Sequence, residues 1–432
     1  MLYFVFLMLD IQLPTENPGR MFFWCCSIMP EIMKDWKEKI HWQKNGRPHL
    51  ALVEPYFGGS HRAFLEGLAS HLCQWNFSWF TQPARGWKQR MQLAAPRMAE
   101  RLLAAVDRGC HFDALLVSSF IDFTLLRSLL ARHGLVLPTA IYFHENQFAY
   151  PVQQDSQSVY QFQALNFSSA LAADSIVFNS EHNFLTFFTG VDRYLQRGAS
   201  TGYRTDLLDD LHKKSRIIPP GMDYAEIDSI EAAAPGSEPV VLWNHRWEHD
   251  KQPDIFVDAL EQLAGEGLAF RIIVLGDQHQ RQTAALADAR KRLGERVMHW
   301  GYATPRARYA ELLRRGDIVV STAVHEFFGM AVLEAVRAGC RPLVPDRLSY
   351  PELFPEQYRY QNSEFIPKLR RLLQRASRLD QGSSRNLTDP WSWSTLTPVY
   401  SSWLTALSSG NLLELNRVPP QKNNTVFAEE SQ

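Results

Sequence analysis

The chain has 432 residues, which at about 150 per domain allows two larger or three smaller domains and excludes a disulfide-stapled miniprotein. Apolar residues make up 45%, and 23 Gly with 24 Pro are near the average share, so collagenous, low-complexity and mostly disordered chains are excluded. With 45 basic and 46 acidic residues the net charge is -1, so no protein-wide field steers the molecule toward nucleic acid or anionic lipid, and a polyanion must be met by a local patch.

Residues 1–49 show no sustained period and close on the turn signal Lys44-Asn45-Gly46-Arg47-Pro48. They read as an N-terminal extension, with a later Met such as Met21 or Met33 as an alternative start. The apolar run Met1 to Leu9 stops at Asp10 and has neither a basic flank nor a small-residue cleavage site, so it reads as neither a signal peptide nor a span. No stretch approaches the roughly 18 uninterrupted apolar residues of a membrane span, and the expected address is the cytoplasm. Cys25, Cys26, Cys73, Cys110 and Cys340 form no CxxC pair and no zinc-type cluster, and read as buried small hydrophobes in a reducing compartment.

From Leu50 short β-rich runs alternate with longer helical patterns, which argues for a parallel wound α/β sheet. The expected order is strand Leu50 to Glu54, helix Ser60 to Leu72, strand Phe77 to Phe80 and a helix near Gln92 to Val106. Strand Asp113 to Ser118, helix Ile121 to His133, strand Thr139 to Phe143, helix Val159 to Ala172, strand Ser175 to Asn179 and a helix capped by Ser180 complete five βα units. Ile217-Ile218-Pro219-Pro220-Gly221 closes this half.

A second series runs strand Val240 to Asn244, helix Pro253 to Leu263, strand Phe270 to Leu275, helix Gln278 to Leu293, strand Val297 to Trp300 and helix Pro305 to Arg315. Strand Asp317 to Ser321, helix Gly329 to Ala338 and strand Arg341 to Val344 follow, and Trp391 to Leu407 has helical apolar spacing. The expected division is an extension 1–49, a first domain 50–222, a linker 223–239, a second domain 240–386, a helix packing back over 387–410 and a loose tail 411–432.

Chemistry is expected at strand ends, where the loops of open α/β sheets line a ligand crevice. In Ser321-Thr-Ala-Val-His325-Glu326-Phe-Phe-Gly329 a strand leads through a loop to a helix start, an anion site suited to a diphosphate. Glu326 and Glu334 stand at E-x7-E spacing, which alone is weak, since Glu356 and Glu364 repeat it without context. Asn244-His-Arg246-Trp-Glu-His-Asp-Lys251 places two cations five apart after another strand, able to neutralise a leaving diphosphate. Gly276 and Tyr302 end the next two strands. In the first half, Glu54-Pro-Tyr56-Phe-Gly58-Gly59-Ser60-His61 joins strand to helix, with Ser60 as the expected cap. Phe143-His144-Glu145-Asn146-Gln147-Phe148-Ala-Tyr150-Pro151 crowds polar and aromatic groups at a strand end. Two basic runs, Arg85 to Arg101 and Lys368 to Arg378, read first as solvated helix faces, the former being the better place for RNA contact.

The segment 321–335 resembles the donor-site signature of retaining GT-B glycosyltransferases. The strings EPYFGGSH at 54–61, YFHENQFAYP at 142–151, NHRWEHDK at 244–251, HWGY at 299–302 and STAVHEFFGMAVLEA at 321–335 together resemble the tRNA-queuosine mannosyltransferases, over about Leu50 to Trp393. The region Arg193 to Lys214 departs from that pattern. The resemblance implies a GT-B fold, two Rossmann-like domains facing each other across a cleft. It implies transfer of mannose from the donor substrate GDP-mannose to the queuosine of an aspartate tRNA, with retention and no cofactor. Catalytic roles would fall to His144, Glu326, Arg246 and Lys251. The donor would meet Gly58, Gly59, Gly276, Tyr302, Phe328, Gly329, Met330 and Glu334, and the acceptor His61, Glu145, Asn146 and Tyr150. No D-x-D pair is present, so metal independence is expected, and no P-loop or G-x-G-x-x-G follows a strand. The alternatives are a GT-B enzyme acting on a lipid, glycan or small molecule, and a non-catalytic tRNA- or nucleotide-sugar-binding protein.

Overall fold

The computed structural model describes residues 46–149, 156–198, 206–231, 236–276, 284–375 and 378–411. The possible late start, Cys25, Cys26, Tyr150, the beginning of the helix expected from Gln278 and the tail from 412 lie outside the described residues.

Strands buried on both faces read as continuous apolar runs, and that is how the sheets are built. In the first domain β1 (His49–Phe57), α1 (Gly59–His71), β2 (Asn76–Pro83), α2 (Trp87–Asp107), β3 (Ala114–Ser118) and α3 (Phe123–Ala131) alternate. β4 (Thr139–Phe143), α4 (Ser156–Ala172), β5 (Ser175–Phe178), α5 (Glu181–Gly198), α6 (Leu207–Lys213) and β6 (Ser215–Ile217) follow. The sheet order is β2-β1-β3-β4-β5-β6, parallel throughout. After the short α7 (Ala225–Asp228), the second domain runs β7 (Val240–Asn244), α8 (Pro253–Gly265), β8 (Arg271–Leu275), α9 (Ala284–Leu293), β9 (Val297–Gly301), α10 (Arg306–Arg315) and β10 (Ile318–Val320). It continues with α11 (Met330–Arg337), β11 (Arg341–Pro345), α12 (Tyr350–Leu353), β12 (Arg359–Tyr360), α13 (Phe365–Arg375), α14 (Gln381–Thr388) and α15 (Trp393–Ser408). Its order β12-β11-β10-β7-β8-β9 is also parallel.

Each sheet is covered on both faces, by clusters around Phe80, Met98 and Phe178 and around Phe64 and Tyr142 in the first domain, and by two more in the second. The last helix, α15, returns to the first domain, where Trp393, Tyr400 and Trp403 join the Phe64–Tyr142 cluster. Two glycines make room for it: a Cβ on Gly67 would lie 2.1 Å, and one on Gly221 2.2 Å, from the Trp393 ring.

Four expectations are corrected. The first sheet has a sixth strand, β6, whose Ser-Arg-Ile sequence at the sheet edge lacks an apolar run. Helix α2 starts at Trp87, because its first turn is largely solvated and the buried face begins only at Met91. Ser60 does not cap α1; Gly58 is the N-cap and Ser60 lies inside the helix. Cys110 and Cys340 are buried, but Cys73 is exposed. Among the described residues no helix is long and apolar enough to cross a membrane.

Candidate functional site

In the second sheet the chain winds outward in both directions from the β7–β10 neighbours, and a crevice opens at such a switch point beyond the strand C-termini. The loops leaving β7 and β10 are knitted together there: Thr322 Oγ1 donates to the Lys251 carbonyl at 2.7 Å, and the Val324 N–H donates to the Asp250 carbonyl at 2.9 Å. Lys251 is buried, with Nζ 3.2 Å from Asp250 and 3.4 Å from Glu326, and it also donates to the His325 carbonyl. Burial alone would raise the Glu326 carboxyl, but Lys251, His245 and Arg246 outweigh it and hold the group below its usual range. His245 is pushed down to about 4 by burial and by Lys251, so it is neutral at pH 7, and its buried Nε2 has no hydrogen-bond partner among the described residues. Arg246 points out of this knot, its side chain 58% exposed and 3.4 Å from Glu248.

Helix α11 opens on Gly329, whose φ of 103° suits glycine, and no side chain caps the helix. Its first N–H groups and positive dipole end therefore face the loop that carries Glu326. One and a half turns on, Glu334 accepts from Tyr309 Oη at 2.6 Å and is paired with Arg306. Tyr309 in turn accepts from Asn244 Nδ2 at 2.7 Å, so the carboxylate is pre-oriented from two elements, α10 and β7. Phe328 is buried and Met330 half-buried at this turn.

The first domain brings Glu54, His61 and His144 together. Glu54 is buried and accepts from the Tyr56 N–H at 2.8 Å, Ser118 Oγ at 3.0 Å and His61 Nδ1 at 2.8 Å. The His61 and His144 rings lie 4.0 Å apart and tilted by 32°. Burial, and then His61, hold His144 well below the usual histidine range, so it is neutral. The ligand atoms of these three residues lie within 4.8 Å of one another, the composition of a metal site. Within this cluster His61 Nδ1 is already engaged by Glu54.

The two halves meet across the cleft. Glu352, on α12, accepts from the Glu181 and His182 N–H groups at the start of α5, both at 2.7 Å. The same turn touches the anion loop, since Ser349 Oγ donates to the Phe328 carbonyl at 2.9 Å. His182 packs against Phe327 at 5.9 Å, and burial raises the Tyr56 hydroxyl above its usual range, with Arg246 of the second domain opposing the rise.

The sites expected from sequence fall as follows. Glu326, Lys251, Arg246, Phe328, Gly329, Met330 and Glu334 surround the β7–β10 crevice, and His61, His144 and Glu145 lie at the facing edge. Lys251 differs from expectation in being committed to Glu326 and Asp250 instead of standing free. Gly59 is open, whereas Gly58 serves packing, since its Cβ would stand 2.4 Å from that of Ala84. Gly276 is likewise required by the fold, its Cβ falling 1.8 Å from the His245 carbonyl. Tyr302 is 66% exposed at the rim beyond the outer strand β9. Asn146 is a correction: it is fully buried, its amide donates to Asn183 and Thr186, and its carbonyl accepts from the Phe148 and Ala149 N–H groups, so it anchors its loop instead of meeting an acceptor. Tyr150 lies outside the described residues. Glu54, Tyr309, Arg306 and Glu352 join the site through tertiary contacts, and of the four only Glu54, within the 54–61 strand-to-helix turn, carries a local sequence signal.

Residues 49–222 match the family model of the tRNA-queuosine alpha-mannosyltransferase N-terminal region, and residues 225–367 that of glycosyl transferases group 1. A tRNA-queuosine alpha-mannosyltransferase of Drosophila melanogaster is 31% identical over 331 residues, 74% of this chain and 86% of that one. The chain belongs to the tRNA-queuosine alpha-mannosyltransferase family. A GDP-mannose:cellobiosyl-diphosphopolyprenol alpha-mannosyltransferase of Xanthomonas campestris is 24% identical, over 53% of this chain and 54% of that one. Among solved structures, sucrose-phosphate synthase from Thermosynechococcus elongatus aligns with a TM-score of 0.62 at 14% identity, over 84% of this chain and all of that one. Anabaena HepE in complex with UDP-glucose aligns at 0.59 and 16%, over 83% and 99%. The fold of this family member is that of the GT-B glycosyltransferases, and the protein is a glycosyltransferase. The model for the queuosine mannosyltransferases covers the half that holds Glu54, His61 and His144, and the general glycosyltransferase model covers the half that holds Arg246, Lys251, Glu326 and Glu334.

Proposed function

We propose that this glycosyltransferase moves mannose from GDP-mannose to a hydroxyl of the queuosine base in tRNA-Asp, with retention of the α configuration. The observation that carries the reading is the division of the cleft: a queuosine-mannosyltransferase half presenting His61 and His144 faces a half built to hold a sugar diphosphate. The diphosphate lies at the uncapped start of α11 with Arg246 reaching it from solvent, so developing charge is met by a permanent cation and a helix dipole. Lys251 adds positive potential and holds Glu326 as an ionised acceptor for sugar hydroxyls. Glu334, fixed by Tyr309 and Arg306, receives the ribose hydroxyls. Neutral His144 orients the sugar from the opposite wall. The acceptor hydroxyl attacks the anomeric carbon on the face that the diphosphate leaves; its proton passes to a phosphate oxygen, the sugar–phosphate bond breaks and GDP departs. No protein nucleophile is needed.

The test is a transfer assay with radiolabelled GDP-mannose and two tRNA pools, one containing queuosine and one lacking it. Label confined to queuosine-containing tRNA-Asp is expected. Label in neither pool with donor binding intact would overturn the acceptor and move it to a lipid, glycan or small molecule; label in other queuosine tRNAs would overturn the aspartate assignment.

A further inference from the structure

The order β2-β1-β3-β4 lines up four loops along the edge of the first sheet that faces the cleft. At the outer end, the β2–α2 turn carries Arg85, Trp87, Lys88 and Arg90. This turn is welded to the β1 loop, because Gly58 leaves no room between itself and Ala84. From Trp87 a run of rings leads inward: Trp87 to Phe162 at 5.2 Å and to Phe120 at 6.1 Å, Phe120 to Tyr56 at 5.3 Å and to His61 at 4.9 Å, then His61 to His144 at 4.0 Å.

The charges at the outer end are unbalanced. Arg85 and Lys88 are exposed and Arg90 is half-buried, and among the described residues no carboxylate pairs with any of the three. Arg90 donates to Gln82 Oε1 at 2.7 Å, and burial and the neighbouring Arg85 both disfavour its charged form. Other basic helix faces differ: Arg97 reaches Glu100, Arg292 reaches Glu261, and Arg370 is bidentate on Glu266. The run Lys368 to Arg378, the weaker prospect from the sequence, is largely spent internally, since Lys368 and Arg378 also donate to backbone carbonyls. A half-buried cation beside two more, with aromatic rings adjoining, fits phosphates and unstacked bases, the features of a single-stranded RNA loop. A membrane surface would require an apolar face, and α2 exposes Leu93 as its one large hydrophobic side chain.

We propose that the rim formed by Arg85, Trp87, Lys88 and Arg90 seats the nucleotides flanking the reacting base, with phosphates on the cations and a base against the aromatic run that leads to His144. This rests on the tRNA reading above. It explains how a chain of near-zero net charge holds a polyanion: the grip is local and placed at the mouth of the cleft.

The test is fluorescence anisotropy with a labelled anticodon stem-loop RNA, using the full chain, its Arg85→Glu/Lys88→Glu double variant, and Arg371→Glu on an exposed face of α13 as the control, with melting temperatures checked for all three. The double variant is expected to weaken binding at least tenfold, and to lower the slope of log affinity against log salt by about 1.4, two single-strand phosphate contacts at ~0.7 each. The control is expected to stay within twofold. Binding within twofold of wild type, or loss of binding to phosphatidylserine vesicles in place of RNA, would overturn the proposal. Mannose transfer by the wild type alongside unchanged RNA affinity sinks the rim and leaves the function; lost RNA affinity in the variant without any transfer by the wild type sinks the function and leaves the rim.

Discussion

Replacing Glu352 tests whether the two domains are held together by one carboxylate. Its two oxygens accept from the first two N–H groups of α5 at 2.7 Å, so Glu352→Ala removes a helix-terminal acceptor supplied by the other domain. Loss of such an acceptor costs about 0.5–2 kcal/mol, which shifts the equilibrium between joined and separated domains by roughly 2- to 30-fold. The pH dependence gives a sharper signature. Burial raises this carboxyl from 4.5 to about 7, with the Glu181 charge adding to the rise and the two N–H donors opposing it. Joining the domains therefore takes up a proton between pH 4.5 and 7, so closure is most favourable below that window and weakens as pH rises through it, by as much as about tenfold per pH unit. His182, whose N–H donates to Glu352, is held down to about 4 by burial and His325, and is neutral across the upper part of the window. Glu352→Gln keeps one carbonyl acceptor and cannot ionise, so its closure is expected to be flat with pH. The assay is the radius of gyration by X-ray scattering together with donor affinity, from pH 5 to 8, for wild type and both variants. The same pH profile in wild type and Glu352→Gln, or an unchanged radius in Glu352→Ala, would refute the reasoning.

Arg246→Ala is expected to change stability by less than about 0.5 kcal/mol, because the side chain is mostly exposed, while lowering kcat by order 10² through lost charge stabilisation; steady-state kinetics that show only a higher KM would contradict that role. Lys251→Met leaves Asp250 and Glu326 facing each other without their cation, and should cost about 3–5 kcal/mol in urea unfolding of the second domain, with Lys251→Arg losing less. Gly221→Ala places a Cβ 2.2 Å from Trp393 and is expected to destabilise by about 1–3 kcal/mol by overpacking, read by denaturant titration; a neutral result would mean that α15 does not dock as described.

Local order determined most of the fold. Thr139–Phe143 and Val240–Asn244 are legible because a strand buried on both faces must be continuously apolar, and the alternation with amphipathic helices then demands a parallel wound sheet. Ser215–Ile217 and Arg359–Tyr360 escaped because each is only two or three residues at a sheet edge, too short to carry an apolar run. The glycines and charged residues at strand ends located the cleft, since parallel strands deliver all their C-terminal loops to one edge. What each of those residues does there was decided by tertiary contacts. Lys251 and Glu326 are 75 positions apart, and only the crossing of two loops turns one into the buried counter-ion of the other. Asn146 stands among ligand-type residues, yet Asn183 and Thr186 take its amide N–H groups while the Phe148 and Ala149 N–H groups take its carbonyl oxygen. Glu352 and the α5 terminus, 170 positions apart, share no motif at all. A hydrogen bond between distant segments leaves no periodicity in the chain, so it exists as information only once the backbone has brought donor and acceptor within 3 Å.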